Sequence, residues 1–216
     1  MKSILVIGMG RLGKHFASKM LELGNDVMVV DKDDNIIEQY SPIFTDSQIG
    51  DCRNESVLRA IGVNNFNLCF VAIGEDFQAS LEITSLLKEL GAKFVVSKAR
   101  EDRQAKFLRL VGADEVVYPE REIAEKLAMR YNANNIFDFI KLTQEYSIFE
   151  IPVLPSWVGK SIASLDIRKK YKINIIGIKK DGELSPLPDA EYVFAPEDHI
   201  VIIGKSKQVF ELTQKN

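Results

Sequence analysis

An apolar run, Ser3-Ile4-Leu5-Val6-Ile7, goes directly into Gly8-Met9-Gly10-Arg11-Leu12-Gly13, and no other feature of the chain constrains its fold as strongly. A strand followed at once by G-x-G-x-x-G implies a tight turn, close approach of backbone N–H groups to an anion, and a helix packed tightly on the strand. The positive end of that helix then faces the anion. The motif alone is weak. It gains weight from a second run, Val27-Met28-Val29-Val30, which ends on Asp31. That acid stands at roughly the 20-residue offset expected of a group that hydrogen-bonds both hydroxyls of a ribose. The unit predicts a nucleotide site; the alternative is the same turn kept only as structure.

Short β-branched runs and amphipathic helical stretches alternate after this opening. Strands are predicted at 4–7, 27–30, 43–46, 68–73, 94–96 and 115–117, and helices at 11–23, 56–60, 76–90 and 103–111. Gly24, Gly62, Gly91 and Gly112 fall where helices should stop. Such alternation implies right-handed βαβ units and an α/β, doubly wound, mostly parallel sheet of Rossmann type, complete within residues 1–120.

The texture then changes. Pro119-Glu120-Arg121-Glu122 reads as a helix start, and Ile123, Leu127 and Tyr131 share one face of that helix. After the polar Asn132-Ala133-Asn134-Asn135 comes an apolar cluster of Ile136, Phe137, Phe139 and Ile140. Residues 121–143 are therefore expected to form a connecting helix pair, either packed on its own domain or serving as a dimer or interdomain connector. Residues 144–216 read as a small α+β subdomain. They hold an alternating strand over 147–153, a short helical segment around Leu165–Arg168, a strand over 173–178, a hairpin turn at Asp181-Gly182 and a last strand over 200–203.

Composition narrows the function classes. A net charge of −3 over 216 residues argues against a nucleic-acid partner, which calls for a basic surplus or stripe. No apolar run approaches the roughly 18 residues of a membrane span, and a secretory signal pattern is lacking, so a cytoplasmic protein is expected. Cys52 and Cys69 make neither a disulfide framework nor a metal spacing. His15 and His199 are the two histidines, and both read as structural or solvated. A Ser-His-Asp arrangement, a metal cluster and a Walker A lysine are all missing, which leaves a small NAD-dependent oxidoreductase as the weaker alternative.

The residues around the loop suggest what it binds. Gly8, Gly10 and Gly13, with Leu12 between them, give backbone donors and room for a diphosphate, and Arg11 adds a permanent charge that can fork onto phosphate oxygens. An arginine at a helix start is otherwise unfavourable against the dipole. Asp31 disfavours a 2′-phosphate by like-charge repulsion, with Lys32 beside it as a weak counterweight. Asp51-Cys52 follows the third strand, at the edge where a base sits in such folds, although Asp51 also reads as a cap for the next helix. Ile73-Gly74-Glu75 ends the fourth strand, at the crevice where strand order should reverse. Lys98 closes the fifth, either reaching a phosphate or standing as a surface lysine.

With these residues in place, the chain resembles RCK-domain proteins (regulators of K⁺ conductance), the cytosolic gating subunits of Ktr/Trk-type potassium transporters. The resemblance is carried by the glycine loop, Val30-Asp31, Ile49-Gly50-Asp51-Cys52, Val71-Ala72-Ile73-Gly74-Glu75, Val96-Ser97-Lys98-Ala99 and Gly112-Ala113-Asp114-Glu115-Val116-Val117-Tyr118-Pro119-Glu120. In the tail it is carried by Gly159-Lys160-Ser161-Ile162, Leu165-Asp166-Ile167-Arg168 and Asn174-Ile175. It implies a non-enzymatic sensor of ATP against ADP, with NADH/NAD as the alternative pair. Glu120 would lie near the terminal phosphate and share a cation there. The resemblance also implies cyclic di-AMP in the tail, at Ile162, Asp166, Ile167, Arg168, Asn174, Ile175 and Pro188. The implied assembly is a homodimer building a ring, an octamer, against the inner face of a membrane potassium-translocating subunit.

Overall fold

A computed structural model describes residues 1–132 and 137–214 and divides into two compact units, Met1–Arg121 and Glu122–Asn216.

In the first unit the strands are β1 (Ser3–Ile7), β2 (Asp26–Asp31), β3 (Asp46–Ile49), β4 (Leu68–Val71), β5 (Val95–Lys98) and β6 (Glu115–Val117). Between them run α1 (Arg11–Glu22), α2 (Asp34–Tyr40), α3 (Glu55–Ile61), α4 (Phe77–Glu89) and α5 (Asp102–Leu110). Among the described residues these strands form one parallel sheet in the order β3-β2-β1-β4-β5-β6. The central strand shows why the sheet is covered on both faces. Leu5 and Ile7 of β1 pack with Leu58, Val71, Ile83 and Leu87 on one side; Ile4 and Val6 pack with Ala17, Val27, Val29 and Ile37 on the other. A strand buried on both faces reads as a continuous apolar run. Chain order reverses between β1 and β4, and their carboxyl ends open a crevice, the place where ligands lie in such sheets.

Two expectations for this unit change. The third strand lies at Asp46–Ile49, not 43–46. The Pro42–Thr45 stretch bends instead, with Phe44 in the core and Thr45 Oγ1 accepting the Val27 N–H at 3.2 Å. As a polar edge strand, β3 carries little apolar signal. The helix α2 was not expected, yet Asp33 caps it on the Asn35 N–H at 3.0 Å and Ile37 is buried.

The chain continues through α6 (Pro119–Asn132) into the second unit, with β7 (Asp138–Lys141), β8 (Tyr146–Pro152), α7 (Ile162–Leu165), α8 (Ile167–Tyr171), β9 (Asn174–Lys180), β10 (Glu183–Pro186), β11 (His199–Lys205) and α9 (Ser206–Gln214). Its sheet is antiparallel in the order β10-β9-β11-β8-β7. The expected helix pair is corrected here: α6 is a helix, but the second member is the edge strand β7. Phe139 faces inward, its ring 6.2 Å from that of Phe149, while Ile140 is 58% exposed. This is a period of two, which the cluster of aromatics obscured. Residues 133–136, including Ala133, Asn134, Asn135 and Ile136, lie outside the described residues. The Asp181-Gly182 hairpin forms as predicted, with φ of 52° and 85° matching a primed turn.

The core of this unit gathers Phe149, Ile151, Trp157, Ile173, Phe194, Ile200 and Ile202. Phe149 is fully buried and edge-on to Phe210 at 5.9 Å. Phe149→Ala is expected to cost about 3–5 kcal/mol of this unit's stability. Denaturant unfolding followed by the emission of Trp157, the single tryptophan, reads the loss; a change below about 1 kcal/mol contradicts this packing.

Candidate nucleotide site

The crevice of the first unit holds a pocket of about 350 Å³. One end of it is the glycine loop. Gly8 takes φ +93° and donates its N–H to Val30 O at 2.8 Å, so the turn begins where the β1–β2 ladder ends. Gly13 sits in the first turn of α1 against that same turn. A Cβ there would overlap the Gly8 carbonyl oxygen, and only glycine lets helix and strand come this close. Gly10 precedes α1, has open space where a Cβ would be, and gives the helix no side-chain cap. The first turn of α1 carries no acid. The first N–H groups of α1 therefore have no side-chain cap from Gly10, which itself lines the pocket, and such a helix start suits an anion. Arg11 opens α1, exposed, and Leu12 is half-buried.

At the tip of β2, Asp31 binds both flanks of the crevice. Its Oδ2 accepts the Met9 N–H at 2.6 Å and its Oδ1 accepts the Asp33 N–H at 3.0 Å. A carboxylate has about four lone-pair sites, so two remain for the vicinal hydroxyls of a ribose. Lys32 follows on the rim.

Gly50, Asp51, Cys52 and Arg53 wall the far end. Asp51 is not the helix cap: Asn54 caps α3 through the Ser56 N–H at 3.0 Å. Asp51 is bound instead by Arg53, whose Nη2 donates to Oδ2 at 2.6 Å, and this pairing holds its carboxyl below the ordinary value against the opposing effect of burial. The Cys52 thiol is 2% exposed; burial, then the charges of Asp51 and Asp31, push it up to about 12. Ile73, Gly74 and Glu75 complete the wall below β4, and Asp76 caps α4 through the Ala79 N–H at 2.9 Å.

Of the residues singled out in the sequence, Gly8, Gly10, Asp31, Lys32, Asp51, Cys52, Ile73, Gly74 and Glu75 line this pocket. Gly13 shapes it from behind. Lys98 and Glu120 pair beside it: Nζ donates to Oε1 at 2.6 Å, and Nζ lies 3.4 Å from where a Cβ on Gly74 would be. The lysine lowers the Glu120 carboxyl from its ordinary value. Arg53 also lines the pocket and was missed, because its charge sits in a polar stretch with no pattern of its own.

The tail residues divide. Ile162, Asp166, Ile167 and Arg168 follow one another through α7 and α8, where Asp166 takes φ +46°. Asn174 and Ile175 begin β9, and the Leu187 N–H bonds Ile176 O at 3.1 Å, which brings Pro188 to the same end of the sheet. Asp166, Arg168 and Asn174 are exposed, whereas Ile167 is 3% exposed in the core. Elsewhere in this unit a larger pocket, about 540 Å³, is lined by polar side chains already bonded to one another, Lys179 and His199 to Glu150 and Lys126 to Asp138, with Asp181 and Glu197 beside them. The carbon-rich lining and open helix end of the first unit's crevice make it the better ligand site.

The TrkA-N domain signature matches residues 4–119 and the TrkA-C domain signature residues 147–215. The Ktr system potassium uptake protein C of Bacillus subtilis is 40% identical over 203 residues, 94% of this chain and 92% of that protein. The Ktr system potassium uptake protein A of the same organism is 33% identical over 208 residues, 96% of this chain and 94% of that one. Among solved structures, the GsuK channel bound to NAD superposes with a TM-score of 0.67 at 20% identity. The match covers 98% of this chain and 39% of the channel chain, so this chain spans less than half of that protein.

Burial predicts that both thiols are inert in the folded chain, since it also pushes the Cys69 thiol up to about 12, against the opposing charge of Lys88. Ellman's reagent at pH 8 should release almost no colour until denaturant is added, and then two equivalents. Rapid reaction of one thiol in the native protein contradicts the site as described.

Proposed function

Because this chain belongs to the family that joins a TrkA-N to a TrkA-C domain, that of the Ktr potassium uptake proteins, we propose that it is a nucleotide-sensing subunit that gates a separate membrane potassium-translocating protein. The observation that carries the reading is the joining of the glycine loop to Asp31 in one pocket, through the Met9 N–H. A diphosphate rests on the loop and the start of α1, the ribose hydroxyls on Asp31, and the base in the apolar end by Ile36, Ile73 and Ile83.

The ligands are ATP and ADP. A third phosphate extends toward Arg11 and the Lys98–Glu120 pair, where added negative charge meets two cations and one carboxylate. A cation bound there would take Glu120 as one ligand; among the described residues no cluster of three His, Cys, Asp or Glu is gathered that could hold a metal unaided. Its other ligands would be phosphate oxygens and a neighbouring subunit. A nucleotide gates only by binding two conformations of the assembly unequally, and the terminal phosphate is the part that differs between ATP and ADP. NADH and NAD satisfy the same loop and Asp31, so they are the competing pair. Cyclic di-AMP, held by Arg168, Asn174 and the exposed parts of α7 and α8, is the second input, with Ile167 supporting the turn from inside.

The reading places the chain at the inner membrane face through its partner, as a homodimer assembled into a ring, octameric by resemblance. Among the described residues no helix is long and apolar enough to cross a membrane. Sensing in place of turnover follows the Ktr potassium uptake proteins that the chain resembles along nearly its whole length.

Thermal unfolding tests the reading by mass action. ADP or ATP at 100 times its dissociation constant should stabilise the chain by about 2.7 kcal/mol, and Asp31→Ala should abolish the shift while NADPH gives none. Failure of ATP, ADP and NADH alike to stabilise the wild type contradicts it. Arg11→Ala should narrow the ratio of ATP to ADP affinity, measured by calorimetry, about 5- to 10-fold; an unchanged ratio removes Arg11 from the discrimination.

A further inference from the structure

The base end of the pocket holds a pair whose geometry reassigns its roles. Four contacts run from Arg53 to the Asp51 carboxylate. The Arg53 backbone N–H and Nε reach Oδ1 at 3.0 and 3.1 Å, and Nε and Nη2 reach Oδ2 at 3.0 and 2.6 Å. A carboxylate offers about four acceptor sites, so Asp51 has little capacity left for the amino group of a base. Freeing it would break charge-assisted bonds in an ion pair that is partly shielded, each side chain about 40% exposed. Asp51 is not needed by the next helix either, since Asn54 caps it.

Resting on the reading of this pocket as a nucleotide site, we propose that Arg53 is the residue that contacts the base, stacking its guanidinium plane on the ring, and that Asp51 is the positioning residue that holds that plane in place. An arginine fixed by its Nε and Nη2 edge keeps its flat face available, and a guanidinium face stacks on aromatic rings with cation–π attraction. The rest of the lining there is carbon-rich, with Ile36, Ile73, Ala79 and Ile83. A base between these side chains and Arg53 is gripped by its faces. The negative charges of Asp51, Asp76 and Glu82 all favour the charged arginine at this rim. Stacking is indifferent to the edge of the base, so this contact supplies affinity more than choice among bases.

The test is calorimetric titration of ADP and GDP into wild type, Arg53→Ala, Arg53→Lys, Asp51→Asn and the Asp51→Asn/Arg53→Ala double variant, each first checked for unchanged unfolding without ligand. Arg53→Ala should weaken ADP about 3- to 30-fold, and weaken GDP by a similar factor from whatever affinity the wild type shows. Arg53→Lys, which keeps the charge but loses the plane, should resemble the alanine variant and carries the test if that variant does not fold. Asp51→Asn should weaken ADP in the wild type but by less than about 2-fold once Arg53 is alanine, because its effect runs through the arginine. The inference is overturned if Arg53→Ala leaves ADP binding unchanged, if only ADP is weakened, or if Asp51→Asn costs the same factor in both backgrounds. Any of these leaves the nucleotide reading standing. Failure of the wild type to bind adenine nucleotides overturns both.

Discussion

One hydrogen bond ties the first unit's chemistry to its fold: the Met9 N–H donating to Asp31 Oδ2 at 2.6 Å. It joins the loop after β1 to the tip of β2, two strands that already lie side by side in the sheet. Hydrogen bonds to a charged acceptor contribute about 1.5–3 kcal/mol, enough to hold a glycine loop in one conformation before a ligand arrives. Everything around it serves that closure. Gly8 allows the turn, Gly13 lets α1 settle on it, and Met9 anchors the loop from below, 2% exposed in the core. A pocket organised in advance binds without the cost of ordering its own loop. The same carboxylate keeps about two acceptor sites open, so the latch of the loop can still accept from a ligand's hydroxyls.

The second unit obeys a different constraint. Its antiparallel sheet buries one face on Phe149, Trp157 and Phe194 and leaves charged and aliphatic side chains on the other. The resulting polar contacts, the Lys179–Glu150 ion pair and the His199–Glu150 hydrogen bond among them, satisfy one another. This unit is a scaffold whose surface turns, α7 and α8 above all, carry the exposed Arg168 and Asp166. The positive φ at Asp166 sets the break between those two short helices.

Much of this architecture is legible in the sequence. The Ile4–Ile7 run, the glycine spacing and Asp31 are local patterns with local causes, and they place β1, α1 and β2 within a residue or two. Gly24, Gly62, Gly91 and Gly112 mark helix ends because positive φ is a backbone demand that few other residues meet. The features that escape a sequence reading depend on partners distant in the chain. The strand β3 is polar and is a strand only because β2 offers it hydrogen bonds. The segment of β7 reads as helical because Phe137, Phe139 and Ile140 look like a cluster until β8 imposes its period. At the site, Asp51 is visible in the sequence but its tie to Arg53 is not, since a side-chain pairing two residues apart leaves no periodic signal.

The central claim is that Asp31 both closes the loop and holds the ribose of a bound nucleotide. A crystal structure of the chain grown with ADP tests it most directly. The account predicts both ribose hydroxyls within hydrogen-bond distance of the Asp31 carboxylate, the diphosphate on the N–H groups that begin α1, and the Met9 N–H still on Asp31 Oδ2. Well-ordered ADP elsewhere, or in the crevice with its ribose turned away from Asp31, contradicts it.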